Sequence, residues 1–207
     1  MIQRYKIYPR GFGANSYILT ADNQSAVVID PSGYSVIREL EARKLVPAYV
    51  LLTHCHFDHV MFTADLQKLG AKVVCLDKER PNMNSDVALF SMAGVPEKPF
   101  TVDQTVTDGE TFTLAGIAFQ AFCLPGHTSG SAAYLVETQG EKWLFTGDTL
   151  FQESIGRTDF PTGSLADMRE SLRRLKTLAG EYLIFSGHGD DTTLTKEKEK
   201  NVFLMDS

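Results

Sequence analysis

The sequence predicts an α/β fold in which two β-sheets pack face to face with helices outside. Three observations carry this. Strand-rich and helical stretches alternate twice along the chain. No linker-like stretch divides it, so residues 1–207 are read as one domain. Each group of chemically active side chains also directly follows an apolar strand, an arrangement in which rigid strands deliver side chains to a common rim.

Taken in order, residues 16–20 and 26–29 are short apolar runs separated by Asp22, Asn23 and Gln24, a hairpin signal. Val36, Ile37, Leu40 and Leu45 give residues 35–44 helical spacing. Residues 49–52 (Tyr-Val-Leu-Leu) read as a strand buried on both faces. A helix over 60–69, ended by Gly70, and a strand over 72–76 follow. Residues 77–100, broken by Pro81, Pro96 and Pro99, form an excursion over one face with a short helix at 87–92. Met83, Phe90 and Met92 are read there as packing against the body, with the lining of a substrate pocket as the alternative.

The second half opens with strands over 111–114, 118–123, 131–136 and 143–145, punctuated by Gly109, Gly116 and Gly140. Ser164-Leu165-Ala166-Asp167 resembles a capping box. It leads a helix with Leu165, Met168, Leu172, Leu175 and Leu178 on one face, ended by Gly180. A last strand covers 182–185, and Lys196, Lys198 and Lys200 read as a solvated helix face.

Composition narrows the function classes. The chain is 43% hydrophobic and 22% charged, ordinary for a globular protein. Its net charge of −6 argues against gripping nucleic acid as a main task, because phosphate neutralisation needs a basic face. Three cysteines, Cys55, Cys75 and Cys123, read as reduced thiols, with Cys55 and Cys123 in packing roles. Residues 1–7 carry no apolar signal-peptide core, and no apolar run reaches membrane-spanning length. The expectation is a cytoplasmic protein with no membrane partner and no assigned oligomeric state.

All five histidines fall in three short motifs. His54, His56 and His59 share the run His54-Cys55-His56-Phe57-Asp58-His59. His127 lies in Pro125-Gly126-His127-Thr128-Ser129-Gly130-Ser131, and His188 in Gly187-His188-Gly189. Asp148, in Thr146-Gly147-Asp148-Thr149, stands between the last two. No histidine is left for a surface or core role. Neutral imidazole is a common ligand for zinc and iron, and a carboxylate can bridge two ions. A strand end opening into a loop would point His54 and His56 one way and Asp58 and His59 another, feeding two neighbouring sites.

The order and spacing of these motifs resemble the metallo-β-lactamase superfamily over nearly the whole chain. The resemblance implies an αββα four-layer sandwich with two metals at one edge. It implies His54, His56 and His127 on one ion, Asp58, His59 and His188 on the other, and Asp148 bridging them. Asp58 and Asp148 are then the candidate catalytic carboxylates. Two divalent ions are expected, zinc first, with iron or manganese as the other candidates. Cations roughly 3.5–4 Å apart share a water and lower its pKa, and the hydroxide attacks a carbonyl or phosphoryl centre.

Branches of the superfamily separate on particular residues. Asp148 stands where one large lactamase class carries cysteine, which disfavours an antibiotic hydrolase. His56 stands where the oxygen-reducing di-iron branch carries glutamate. The stretch Ile155-Gly156-Arg157-Thr158-Asp159-Phe160-Pro161-Thr162-Gly163-Ser164 resembles the short glyoxalase II-like hydrolases, which cleave thioesters such as S-lactoylglutathione. A small-molecule thioester is therefore the expected substrate. The alternative is a mononuclear iron persulfide dioxygenase using His54, His127 and Asp148. Arg157 is a candidate substrate-binding residue for a carboxylate, with a scaffold pairing to Asp159 or Asp148 as the other reading. Val60-Met61-Phe62 replaces the glycines often found after the first motif, which predicts a tighter neighbouring pocket.

Overall fold

The computed structural model describes residues 1–9, 11 and 13–207. The first half comprises β1 (Gln3–Ile7), β2 (Ser16–Thr20), β3 (Ser25–Ile29), α1 (Tyr34–Arg43), β4 (Val46–Leu52), α2 (Phe57–Val60), α3 (Thr63–Lys68), β5 (Lys72–Leu76), α4 (Phe90–Ala93) and β6 (Gln104–Val106). The second comprises β7 (Thr111–Leu114), β8 (Ile117–Cys123), β9 (Ala132–Thr138), β10 (Glu141–Gly147), β11 (Leu150–Phe151), β12 (Ser154–Ile155), α5 (Leu165–Thr177), β13 (Leu183–Ser186), β14 (Thr192–Thr193), α6 (Leu194–Lys200) and α7 (Val202–Met205).

Two six-stranded sheets result, ordered β1-β2-β3-β4-β5-β6 and β14-β13-β10-β9-β8-β7. In the first, β1 to β3 are antiparallel, and β3 to β6 pair in parallel through helical crossovers. In the second, β7 to β10 form an antiparallel meander and β13 adds parallel to β10.

Strand alternation sorts the core into three layers of contact. Leu19, Leu51 and Val74 face Phe119, Tyr134 and Phe145 of the other sheet. Their neighbours Ile18, Val50, Leu52 and Val73 face outward onto Val36, Leu40 and Leu66 of the helices. On the far side, Leu135, Leu144 and Ile184 meet Met168, Leu172 and Leu175 of α5. This is the αββα sandwich, and fully burying each such apolar side chain contributes about 1.5–3 kcal/mol. Tyr134 crosses the inner layer. Its ring is fully buried and its hydroxyl donates to the Leu52 carbonyl at 2.9 Å, so its polar end is satisfied where no water reaches.

Several local expectations change. The helix over 60–69 is two pieces, because Phe62 leaves helical geometry and its N–H donates to Pro31 O at 3.0 Å. Asp58 and His59 lie in the first turn of α2, not in a loop. Met83 and Phe90 are buried as expected, while Met92 is 63% exposed. Leu165 is exposed rather than on the buried face of α5, and the helix stops at Leu178, whose backbone is extended, ahead of Gly180. β1, β6, β14 and the β11–β12 hairpin were not expected. No helix among the described residues is long and apolar enough to cross a membrane.

Candidate metal centre

The four sequence motifs converge at one end of the sandwich. Parallel pairing of β3 with β4 sets Asp30, just past β3, beside Thr53, just past β4. Asp30 accepts from Thr53 N at 2.8 Å and from Thr53 Oγ1 at 2.6 Å, fixing the point where the chain turns into His54. The same carboxylate holds His59 Nδ1 at 2.9 Å, which turns His59 Nε2 toward Asp148 Oδ1 at 3.2 Å. From the second half, His127 donates from Nδ1 to the Arg157 carbonyl at 2.7 Å, leaving its Nε2 2.8 Å from His56 Nδ1.

The ligand-type atoms form overlapping groups. His54, His56 and His127 make one, His54, His59 and Asp148 a second, and Asp58, His59 and His188 a third, with the atoms of each within 4.8 Å of one another. Asp148 sits between them. Its Oδ1 faces His59, while its Oδ2 lies 3.4 Å from both His127 Nε2 and His188 Nε2. His188 Nε2 also reaches Asp58 Oδ2 at 3.2 Å. The cluster is buried except toward His188, whose side chain is 37% exposed. Gly187 is required here: any Cβ at this position would strike the Asp148 carboxylate and the His59 ring.

Electrostatics divides the cluster. Burial, reinforced by neighbouring histidines, pulls His54 well below the usual imidazole range, and pulls His56 to about 3. Burial acts the same way on His59 and His188, but carboxylates outweigh it. Asp148, Asp58 and Asp30 raise His59, and hydrogen bonds to Asp148 and Asp58 raise His188 to about 9. His54 and His56 thus favour the neutral form, while carboxylates favour the protonated form of His59 and His188.

Residues 9–188 match a protein family described as the metallo-beta-lactamase superfamily. The chain belongs to this superfamily. It is 35% identical over 200 residues to the hydroxyacylglutathione hydrolase GloC of Haemophilus influenzae, covering 93% of both proteins. It superposes on the BLEG-1 B3 metallo-beta-lactamase with a TM-score of 0.88 at 31% identity, covering 98% of this chain and 99% of that one. The TTHA1623 protein, solved in a di-iron-bound form, superposes with a TM-score of 0.83 at 30% identity, covering 96% of this chain and 99% of that one.

Divalent metals are bound by this superfamily, and the donors here fit such ions. The buried atoms His54 Nε2 and His56 Nε2 have no hydrogen-bond partner, and His59 Nε2 and Asp148 Oδ1 have only each other, at 3.2 Å. A cluster of buried, unpartnered lone pairs is costly unless something binds them. The donors are imidazole and carboxylate. All three cysteines are buried and none belongs to these groups; Cys55 packs into the layer between the first sheet and its helices.

Arg157 stands at the rim. Its guanidinium makes two 2.7 Å contacts to Asp159 and lies 3.8 Å over the Phe160 ring, which meets His56 edge-on. Its side chain is 55% exposed. The expected tightening near Val60-Met61-Phe62 is not found: Met61 and Phe62 line a cavity of about 750 Å³.

Sequence reasoning missed two supporting carboxylates. Asp30 is one. Glu79 is the other: fully buried, it accepts from Cys55 N at 2.9 Å, Thr128 Oγ1 at 2.9 Å and Asn82 Nδ2 at 2.8 Å. It therefore ties the first histidine motif to the second. Asp30, directly before Pro31 at the end of an apolar strand, offered a signal, whereas Glu79, between Lys78 and Arg80, looked like solvated charge.

Proposed function

We propose that this chain is a dinuclear metal-dependent hydrolase of small-molecule thioesters. The observation that carries the reading is the shared carboxylate: Asp148 faces His59 with one oxygen and His127 and His188 with the other. In this reading His54, His56 and His127 hold one ion, Asp58, His59 and His188 hold a second, and Asp148 serves both. Zinc is the first candidate for both sites, with iron or manganese next. When bound, the ions supply a hydroxide at neutral pH and Lewis-acid stabilisation of the developing oxyanion.

The chain's own groups do the rest. His127 is held by the Arg157 carbonyl and His59 by Asp30, so neither ring must reorient during turnover. Asp58 stands at the open edge with its side chain 14% exposed, beside His188, where it can take a proton from the attacking water at Oδ2. Attack forms the C–O bond and an oxyanion; collapse of that oxyanion breaks the C–S bond, and the sulfur leaves as a thiolate that takes the proton held by Asp58. Arg157 is the candidate anchor for a substrate carboxylate, exchanging its exposed pairing with Asp159 for the substrate.

Likeness to GloC of Haemophilus influenzae supports thioester over other substrates, and likeness to BLEG-1 makes β-lactams the control class. The test is metal analysis followed by turnover of S-lactoylglutathione, other thioesters and a β-lactam. Two ions per chain and chelator-sensitive release of thiol are expected. One iron per chain with persulfide-dependent oxygen uptake and no thioester cleavage would replace the reading with a dioxygenase.

A further inference from the structure

The last candidate ligand in the chain is also the most open. The His188 side chain is 37% exposed, against 14% for Asp58 and 10% for Asp148. Its own backbone does little to fix it, because it stands between Gly187 and Gly189, and Gly189 has a φ of +75°. The turn Ser186–Gly189 follows β13 of the second sheet, yet most of what holds it comes from the first. Asn15, directly before β2 and 1% exposed, makes three of these contacts. Its backbone N donates to Gly187 O at 2.6 Å, and its Nδ2 donates to Ser186 O and to Gly189 O, each at 3.0 Å. Both side-chain partners are carbonyls, so only the amide nitrogen can face them, with one hydrogen for each. A single planar group thus spans the carbonyls on either side of His188. From the second sheet, Gly187 N donates to Gly147 O at 2.8 Å, next to Asp148. The turn is strung between these two anchors.

We propose that Asn15 is a positioning residue for His188, and that its amide sets how tightly an ion held by Asp58, His59 and His188 is bound. The inference rests on the two-ion reading above and concerns one half of it. Asn15 acts through the turn: His188 Nε2 lies 3.2 Å from Asp58 Oδ2 and 3.4 Å from Asp148 Oδ2, and a ring on a turn free to shift would lose that placement. The other set is anchored elsewhere, His127 by the Arg157 carbonyl and the His54–His56 run by Glu79 at Cys55 N. Removing the amide orphans neither carbonyl. The Tyr17 hydroxyl also donates to Ser186 O at 2.7 Å, and Lys6 Nζ to Gly189 O at 3.0 Å. Burial pushes the Tyr17 hydroxyl above its ordinary value, so it stays a donor. What Asn15→Ala removes is the rigid span between the two carbonyls, with little loss of hydrogen bonding.

The experiment titrates the full metal-free chain with zinc in competition with a chromophoric chelator, which reads the two binding steps separately. His188→Ala identifies the step that depends on the second ligand set. Asn15→Ala should weaken that same step about 10–100-fold and leave the other within about three-fold. The melting temperature of the metal-free variant should fall by only about 2–4 °C, the worth of one ordinary hydrogen bond in a chain of this size. Lys6→Met removes the second donor to Gly189 O while the amide still spans the turn, so both steps should stay within about three-fold of wild type.

Both steps weakened alike in Asn15→Ala would make the amide a general support of the fold and overturn the proposal, as would wild-type affinity at both. A loss in Lys6→Met equal to that in Asn15→Ala would move the role from the amide to the surrounding network and overturn it too. Each of these results leaves the two-ion reading intact. A wild-type chain that takes up a single zinc ion overturns that reading, and this inference with it.

Discussion

Replacing Glu79 with alanine tests how the two histidine motifs are held in register. The carboxylate is fully buried and accepts three hydrogen bonds, from Cys55 N, Thr128 Oγ1 and Asn82 Nδ2. Two of these donors have somewhere else to go. Thr128 Oγ1 lies 2.8 Å from Ser131 Oγ, and Asn82 Nδ2 already reaches Ser129 Oγ at 3.0 Å. Cys55 N has no second acceptor of this kind and would be stranded between His54 and His56. A bond to a charged acceptor contributes about 1.5–3 kcal/mol, and a buried donor left alone costs about 1–3 kcal/mol. Removing the carboxylate also removes the cost of burying it, which offsets part of the loss. The net expectation is a destabilisation of about 3 kcal/mol, or about 6–12 °C in melting temperature for a chain of this size. Glu79→Gln keeps one acceptor and should cost about 1 kcal/mol. Urea denaturation of metal-free protein reads the structural part. Metal titration of the folded variant reads the functional part, where a loss of about 10–100-fold in affinity is expected for a group that positions ligands. An alanine variant within about 1 kcal/mol of wild type, with unchanged metal affinity, would refute the argument that this carboxylate organises the centre.

Four further outcomes are expected. Burial raises the Glu79 carboxyl above its ordinary value even though Asn82, Cys55 and Thr128 pull it down. A raised folded-state pKa stabilises most at low pH, so its contribution should be lost as pH rises through that value; subtracting the stability profile of Glu79→Gln from that of wild type should show this fall. Asp148→Ala should lose most of the metal from both positions, since its oxygens face both sets; wild-type metal content in the variant would remove the bridging role. Asp30→Asn should weaken metal binding about 10–100-fold by loosening His59 and Thr53, and an unchanged titration would show that the ring is fixed by other contacts. Arg157→Lys should raise KM about ten-fold for carboxylate-bearing substrates with metal content retained, because lysine keeps the charge without the two-pronged geometry. A lowered melting temperature with normal KM would instead confine Arg157 to its pairing with Asp159.

The parts of this molecule legible in the sequence are those governed by local pattern. Tyr49 to Leu52 could be read as buried on both faces because no polar residue interrupts it, and Leu51 and Leu52 do face opposite layers. The histidine motifs were legible because five histidines in three short runs leave little else for them to do. What stayed hidden depends on partners far along the chain. β1 is mostly half-buried and carries Arg4 and Lys6, so its pattern resembles an exposed segment until β2 pairs with it. Glu79 is 24 residues from Cys55 and 49 from Thr128, and only the fold turns an ordinary surface-looking glutamate into a buried tie. The break at Phe62 likewise arises from Pro31, a partner that no helical periodicity could reveal.

The proposed ligand set is divided along the chain: four members lie between His54 and His59, and the rest are His127, Asp148 and His188. A nascent polypeptide leaves the ribosome at about 5–20 residues per second, so the early histidines wait for seconds before the late ones emerge. During that interval the first sheet can begin to fold, but Asp148 and His188 do not yet exist. Metal captured then would meet only half of its eventual donors and exchange freely, whereas metal arriving after β13 pairs beside β10 would lock the two halves together. In the proposed reading, metal loading is completed only once the second sheet has formed.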